Sequence, residues 1–162
     1  MKCAACGQPL RPSKIENYHY SECGLKNVYL KNISSLVCQG CGDYEVQIPN
    51  IDLLHGVIAM DLASQHEKLR AEEIRFLRVH LGLSGVQLAH VLSVEPETVS
   101  RWERGRADMK LTNERFLRIL ILSKVGPFRD YEELSSFGTS LKKSRQTLSF
   151  TIRKDRWLRA AA

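Results

Sequence analysis

A chain of 162 residues has room for one ordinary domain or two small ones, and 43% hydrophobic with 26% charged residues is a globular balance. The net charge of +6 is uneven: residues 1–50 carry +1, 51–71 carry −1, 72–125 carry +2 and 126–162 carry +4, so a polyanion would meet the second half. No apolar run reaches the roughly 18 residues of a membrane span and the N-terminus shows no signal-peptide core, so a cytoplasmic protein without a membrane partner is expected.

All five cysteines precede residue 42, and four form two pairs, Cys3-Ala-Ala-Cys6-Gly7 and Cys38-Gln-Gly-Cys41-Gly42. This spacing points to metal binding in a reducing compartment rather than to disulfides. Two thiolates on a tight turn chelate one ion, and two such knuckles close a tetrahedral zinc site. Glycine after each second cysteine suits a turn that requires positive φ. Cys3, Cys6, Cys38 and Cys41 are thus the expected ligands of one Zn²⁺ per chain. Four sulfurs leave no open position, which makes the ion structural, a staple for some 50 residues whose core is too small to fold alone. Buried or redox-active thiols are the alternative, but a redox CxxC normally occurs once, at a helix start in a βαβ setting. Cys23 is left over, either replacing a ligand or binding nothing.

Between the knuckles, Asn17 to Lys31 is rich in Tyr and Val and broken at Cys23-Gly24 and Lys26-Asn27, which predicts two or three short strands. Tyr18, His19 and Tyr20 read as strand residues. After Pro49-Asn50 the chemistry changes. Leu54, Val57, Ile58, Met60 and Leu62 recur at helical spacing, predicting one connecting helix in 51–70.

From Ala71 to Lys124 the pattern is helical, with breaks at Gly82, Ser93 to Pro96 and Gly105. The first helix covers Glu72 to Leu81 with Ile74, Leu77 and Leu81 inward. Ser84 caps a second helix whose buried side is Leu88, Ala89 and Leu92. After a short turn with proline at a helix start, a third helix runs to about Arg104 with Val99 and Trp102 inward, ending at Gly105. A fourth covers Thr112 to Ser123, with Phe116, Leu117, Leu120 and Ile121 on its inner side. Two helices joined by a short turn and braced by neighbours form a helix-turn-helix, whose second helix enters the major groove of duplex DNA. Glu95, Glu97, Thr98 and Arg101 are its outward positions, with Arg101 able to reach guanine or a phosphate, or to pair with Glu97 on the helix surface. Arg104, Arg106 and Lys110 suit phosphate contacts, and Ser84 joins this DNA-binding set at the start of the preceding helix. The tail after Gly126-Pro127 opens with a turn and an acidic stretch, then alternates like a strand over Thr147 to Ile152. It reads as a solvated basic extension, extra phosphate contacts, or a strand added to a partner.

Ser100-Arg-Trp-Glu-Arg-Gly105 after Leu88-Ala89 resembles the Cro/C1 (XRE) helix-turn-helix regulators, and the two CxxC knuckles resemble the YgiT-type zinc finger. In this order they resemble the MqsA family of type II antitoxins over about residues 1–124. The resemblance implies an α+β chain: a small zinc-binding β-rich domain (1–50), a linker helix (51–70), an all-α lambda-repressor-like domain (71–125) and a basic extension (126–162). It also implies a homodimer that represses its own operon at a palindromic operator, and an N-terminal domain that neutralises a toxin protein. By position, the four paired cysteines match the zinc ligands and Arg101 a base-reading arginine. Gly85 stands where Cro/C1 proteins often place glutamine, and Glu97 where the antitoxin has asparagine. A zinc-containing regulator of the same type without a toxin is the alternative. An enzyme is not expected, because His55, His66, His80 and His90 are scattered and no nucleophile–base arrangement can be placed.

Overall fold

Strand β1 (Leu10–His19) turns back into β2 (Val28–Cys38) in an antiparallel pair whose register sets Leu10 opposite Cys38 and His19 opposite Tyr29. This is the fold of a computed structural model, which describes residues 1–125, 140–143 and 147–160. The chain is mixed α/β, an N-terminal sheet with a cysteine cluster followed by helices, and it divides into two units. The first comprises Met1–Glu22, Lys26–Leu54 and Thr147–Ala162; the second comprises Cys23–Leu25 and His55–Gln146.

In the first unit β2 is shared by three partners. Beside β1 it pairs antiparallel with β3 (Tyr44–Gln47) through Ser34 to Val37 and parallel with β6 (Leu148–Arg153) through Val28 to Lys31. β6 then forms a hairpin with β7 (Arg156–Arg159). The interior holds Val28, Leu30, Ile33, Leu148, Phe150 and Trp157, each no more than 2% exposed. The Trp157 indole N–H donates to the Pro49 carbonyl at 2.9 Å. The C-terminal segment is therefore part of the N-terminal sheet, and the boundary expected at residue 126 does not make 147–160 a solvated extension. The turn at Gly126-Pro127 and the acidic stretch after it lie outside the described residues.

Two strands lie between the knuckles, within the two or three expected, but they are longer than the short strands the local pattern suggested. β1 is ten residues long, yet most of its side chains are exposed, so apolar alternation could not reveal it. Pairing with β2 holds it in place.

Helix α1 (Ile51–Ala63) starts in the first unit and enters the second at His55, where Ile58, Ala59, Leu62 and Ala63 are at 0% exposure; it leads through the short strand β4 (Glu67–Lys68), which pairs with β5 (Ser140–Lys143). Four helices follow: α2 (Ala71–His80), α3 (Gly85–Val91), α4 (Pro96–Glu103) and α5 (Leu111–Val125). Ser84 caps α3 as its sequence predicts: its hydroxyl accepts from the Gln87 N–H, and the Gln87 side chain accepts from the Ser84 N–H. α3 closes with Ser93 in the left-handed region (φ 53) and the Val94 N–H on the Ala89 carbonyl. No helix among the described residues is long and apolar enough to cross a membrane.

The inner stripe of α5 differs from expectation at Phe116, which is 41% exposed. Leu117 and Ile121 face inward as expected, and Glu114 and Arg118 join them. Arg118 is 0% exposed and donates to the carbonyls of Leu62, Ala63 and Gln65 (3.0, 3.1 and 2.6 Å), to that of Glu67 (2.6 Å) and to Glu114 (2.8 Å). The carbonyls that end α1 have no partner within their own helix, so a buried cation there satisfies them and complements the helix dipole. Replacing Arg118 by Met keeps the stem but leaves these carbonyls and the Glu114 carboxylate unpaired. Arg118→Met should cost about 3–5 kcal/mol in denaturant unfolding, whereas Arg75→Met, at an exposed position, should cost under about 0.5 kcal/mol. Equal effects would mean the buried network is dispensable.

Candidate functional site

The two knuckles are built alike. In each, the first cysteine N–H donates to a carbonyl five residues on (Gln8 and Asp43, both 2.8 Å), and its carbonyl accepts from the glycine four residues on (2.9 and 3.0 Å). Those glycines, Gly7 and Gly42, have φ of 72° and 75°, where a side chain would be strained. The β1–β2 register carries one knuckle to the other, because Cys38 ends β2 opposite Leu10. The sulfurs of Cys3, Cys6, Cys38 and Cys41 all lie within 4.8 Å of one another, with Cys3–Cys41 at 3.6 Å and Cys6–Cys38 at 3.3 Å. Cys23 is outside this cluster.

A tetrahedral metal with metal–sulfur bonds of about 2.3 Å places its sulfurs about 3.8 Å apart, so the four residues form a possible metal site. The electrostatics favour a cation. Backbone N–H groups of Cys41 and Gly40 draw the Cys38 thiol down to about 6. The Asp43 N–H favours the Cys41 thiolate, yet the sulfurs of Cys6, Cys3 and Cys38 push it up to about 12. Four thiolates this close cannot all ionise unless a positive ion shares the site.

The second unit holds a cleft of about 820 Å³ between the end of α3, the outer side of α4 and the start of α5. Thr98, Arg101 and Lys110 line it together, joined by His90, Glu95 and Asn113. Arg101 is exposed and makes no ion pair among the described residues, so its surface pairing with Glu97 is not formed. Ser84 and Arg104 line a separate depression of about 430 Å³ with Arg75 and Arg78. Glu97 and Arg106 are exposed and line neither. Sequence reasoning passed over His90 and Asn113. His90 reads in the sequence only as one of several scattered histidines, and Asn113 sits in the first turn of a helix read only for its apolar stripe.

α4 is fixed from behind. Val99 and Trp102 are buried at 1% and 4% exposure, and Arg78 of α2 grips Glu103 with two hydrogen bonds of 2.5 and 3.0 Å while also donating to the Leu83 carbonyl. Its exposed face is therefore presented on a braced helix.

For the cysteine cluster, titration of reduced protein with Zn²⁺ or Cd²⁺ should saturate at about one equivalent and release protons. Because protons compete with the metal for the four thiolates, metal affinity should fall as pH is lowered. Cys41→Ser should abolish stoichiometric loading and Cys23→Ser should leave it intact; the reverse result would reassign the ligands.

Compared with protein-family models the chain matches none, and comparison with curated proteins likewise gives no match.

Proposed function

We propose that the chain is a sequence-specific DNA-binding regulator with a structural zinc site and a helix-turn-helix in its second unit. The observation that carries this reading is the cleft on the outer side of α4, where Thr98, Arg101 and Lys110 converge on a helix braced by Arg78 and Trp102. α3 and α4 are joined by a turn of four residues, Leu92 to Glu95, the length a helix-turn-helix uses. Arg101 reads a guanine edge, Lys110 holds a phosphate, and Arg104 and Arg106 add backbone contacts. Zinc fits the four-sulfur donor set because tetrahedral thiolate coordination is its common structural mode, with no ligand position left for chemistry.

One short helix covers only a few base pairs, so the reading includes a homodimer on an inverted repeat. The outward Phe116, beside half-buried Ile119 and Leu120, gives α5 an apolar flank for a second copy. The resemblance to MqsA antitoxins adds autorepression and a toxin partner for the first unit. That version is supported by a groove of about 430 Å³ lined by Ile15, Tyr18, Val37 and Tyr44, since exposed tyrosine is a common anchor in protein interfaces. Co-purification of the full chain with the protein encoded beside it separates an antitoxin from a regulator without a toxin.

Selection from a random duplex pool should yield an inverted repeat with half-sites about one helical turn apart. On that sequence Arg101→Ala should cost about 1–3 kcal/mol and relax base preference at one position per half-site. Arg106→Ala and Lys110→Ala should weaken all duplexes alike. An unenriched pool, or an Arg101→Ala variant with full discrimination, would sink the assignment.

A further inference from the structure

The β6–β7 hairpin carries Arg153, Lys154, Arg156 and Arg159 against the single carboxylate Asp155, a net +3 within seven residues. We propose that it is a second contact with the phosphate backbone of duplex DNA, separate from the reading helix. The proposal rests on the DNA-binding function argued above.

Three features of the hairpin work against folding and in favour of binding an anion. Arg153 lies directly opposite Arg156, and like charges at opposed positions weaken strand pairing. The two-residue turn is Lys154-Asp155, with φ of 47° and 59°; two successive left-handed residues are ordinarily supplied by Asn and Gly. A lysine is therefore held at the tip against its conformational preference, as happens where a side chain is kept for function. Arg153, Lys154 and Arg156 are exposed and make no ion pair among the described residues, whereas Arg70, Arg78 and Arg118 are all matched to carboxylates.

The cations nevertheless sit on a rigid support. Phe150 is 0% and Trp157 2% exposed, the Trp157 indole is tied to the Pro49 carbonyl, and the Arg159 guanidinium lies 5.8 Å over the Phe150 ring. β6 is itself paired along β2. Little backbone freedom remains to be lost on binding. Register extends the basic face: Thr151 is opposite Leu158 on one side and Lys31 on the other, so Lys31 shares the sheet face of Arg153 and Arg156.

The charge distribution favours DNA as the occupant. Residues 1–125 carry a net charge of only +2, and the reading helix starts with Glu95 and Glu97, which repel phosphate. Attraction to a duplex must then come largely from cations elsewhere, and the hairpin concentrates them.

The test measures full-length protein by fluorescence anisotropy, on the selected operator duplex and on an unrelated duplex, from about 50 to 200 mM salt. The triple variant Arg153→Thr, Lys154→Asn, Arg156→Thr removes three charges while placing better strand and turn residues. It should keep or raise the thermal midpoint. It should weaken both duplexes alike, by about tenfold or more near 100 mM salt, and, with both protomers of the dimer altered, lower the salt slope by about 5. Lys154→Asn alone should lower that slope by about 2 per dimer. Unchanged affinities and slope in a folded triple variant would overturn the proposal. If Arg101→Ala still lowered discrimination in that case, the reading helix would stand without the hairpin. If the triple variant weakened binding while Arg101→Ala kept discrimination, the hairpin would stand and the helix assignment would fall. Wild-type protein that bound neither duplex at 50 mM salt would overturn both. A triple variant that lost only its binding to phosphatidylserine vesicles would overturn the DNA contact in favour of a lipid surface.

Discussion

The pairing of β1 with β2 is the constraint on which the first unit depends. The sulfurs to be gathered are separated by 31 residues, and only a hairpin in one register returns Cys38 to a place beside Cys3 and Cys6. A slip of one residue would turn every side chain of β2 to the other face and separate the knuckles. β2 also offers its second edge to two strands in succession, β6 along Val28 to Lys31 and β3 along Ser34 to Val37. The changeover falls at Asn32, which has a φ of 54°, and there burial passes from Val28 and Leu30 to Ile33 and Ser35. One left-handed residue thus lets a single strand serve both the cysteine cluster and the C-terminal hairpin.

The helical unit relies on buried charge. Arg118 is surrounded by five acceptors, and Glu114, which holds it, also accepts the Leu69 N–H at 3.2 Å. At the start of α2, the Glu73 carboxylate takes the Arg70 N–H and guanidinium, although burial pushes its pKa up. Such pairs contribute less to stability than their Coulomb energy suggests, because desolvation offsets it, but an unpaired member is very costly, so they specify one arrangement. The same holds for Arg78 and Glu103, which tie α2 to α4. These pairs hold α4 in a fixed position against α2, the rigidity that the proposed reading of bases would require.

Local signals were legible where a residue type does one physical job. Glycine after each knuckle, Ser84 before α3, Pro96 at the start of α4 and Gly105 after it marked the turns and helix limits closely. Three features were hidden. β1 has too few apolar residues to show alternation. The inner stripe of α5 contains Glu114 and Arg118, so a search for apolar periodicity shifted it towards Phe116. The return of β6 to β2 pairs residues 120 positions apart, Val28 with Leu148, and no local pattern encodes which edge a distant strand will find. In the candidate site, the cysteines declared themselves by spacing. The cleft on α4 was legible only in part, because Asn113 and His90 reach it through packing of helices rather than through a motif.

The most direct measurement of the central claim is backbone amide chemical-shift mapping of the full chain titrated with its selected duplex. Perturbations should concentrate on Glu95 to Arg101 and on Arg106 to Asn113, around the cleft that holds Arg101, with a second set on the hairpin turn from Arg153 to Arg156. Shifts that spared α4 while clustering on β1 and the knuckles would contradict it.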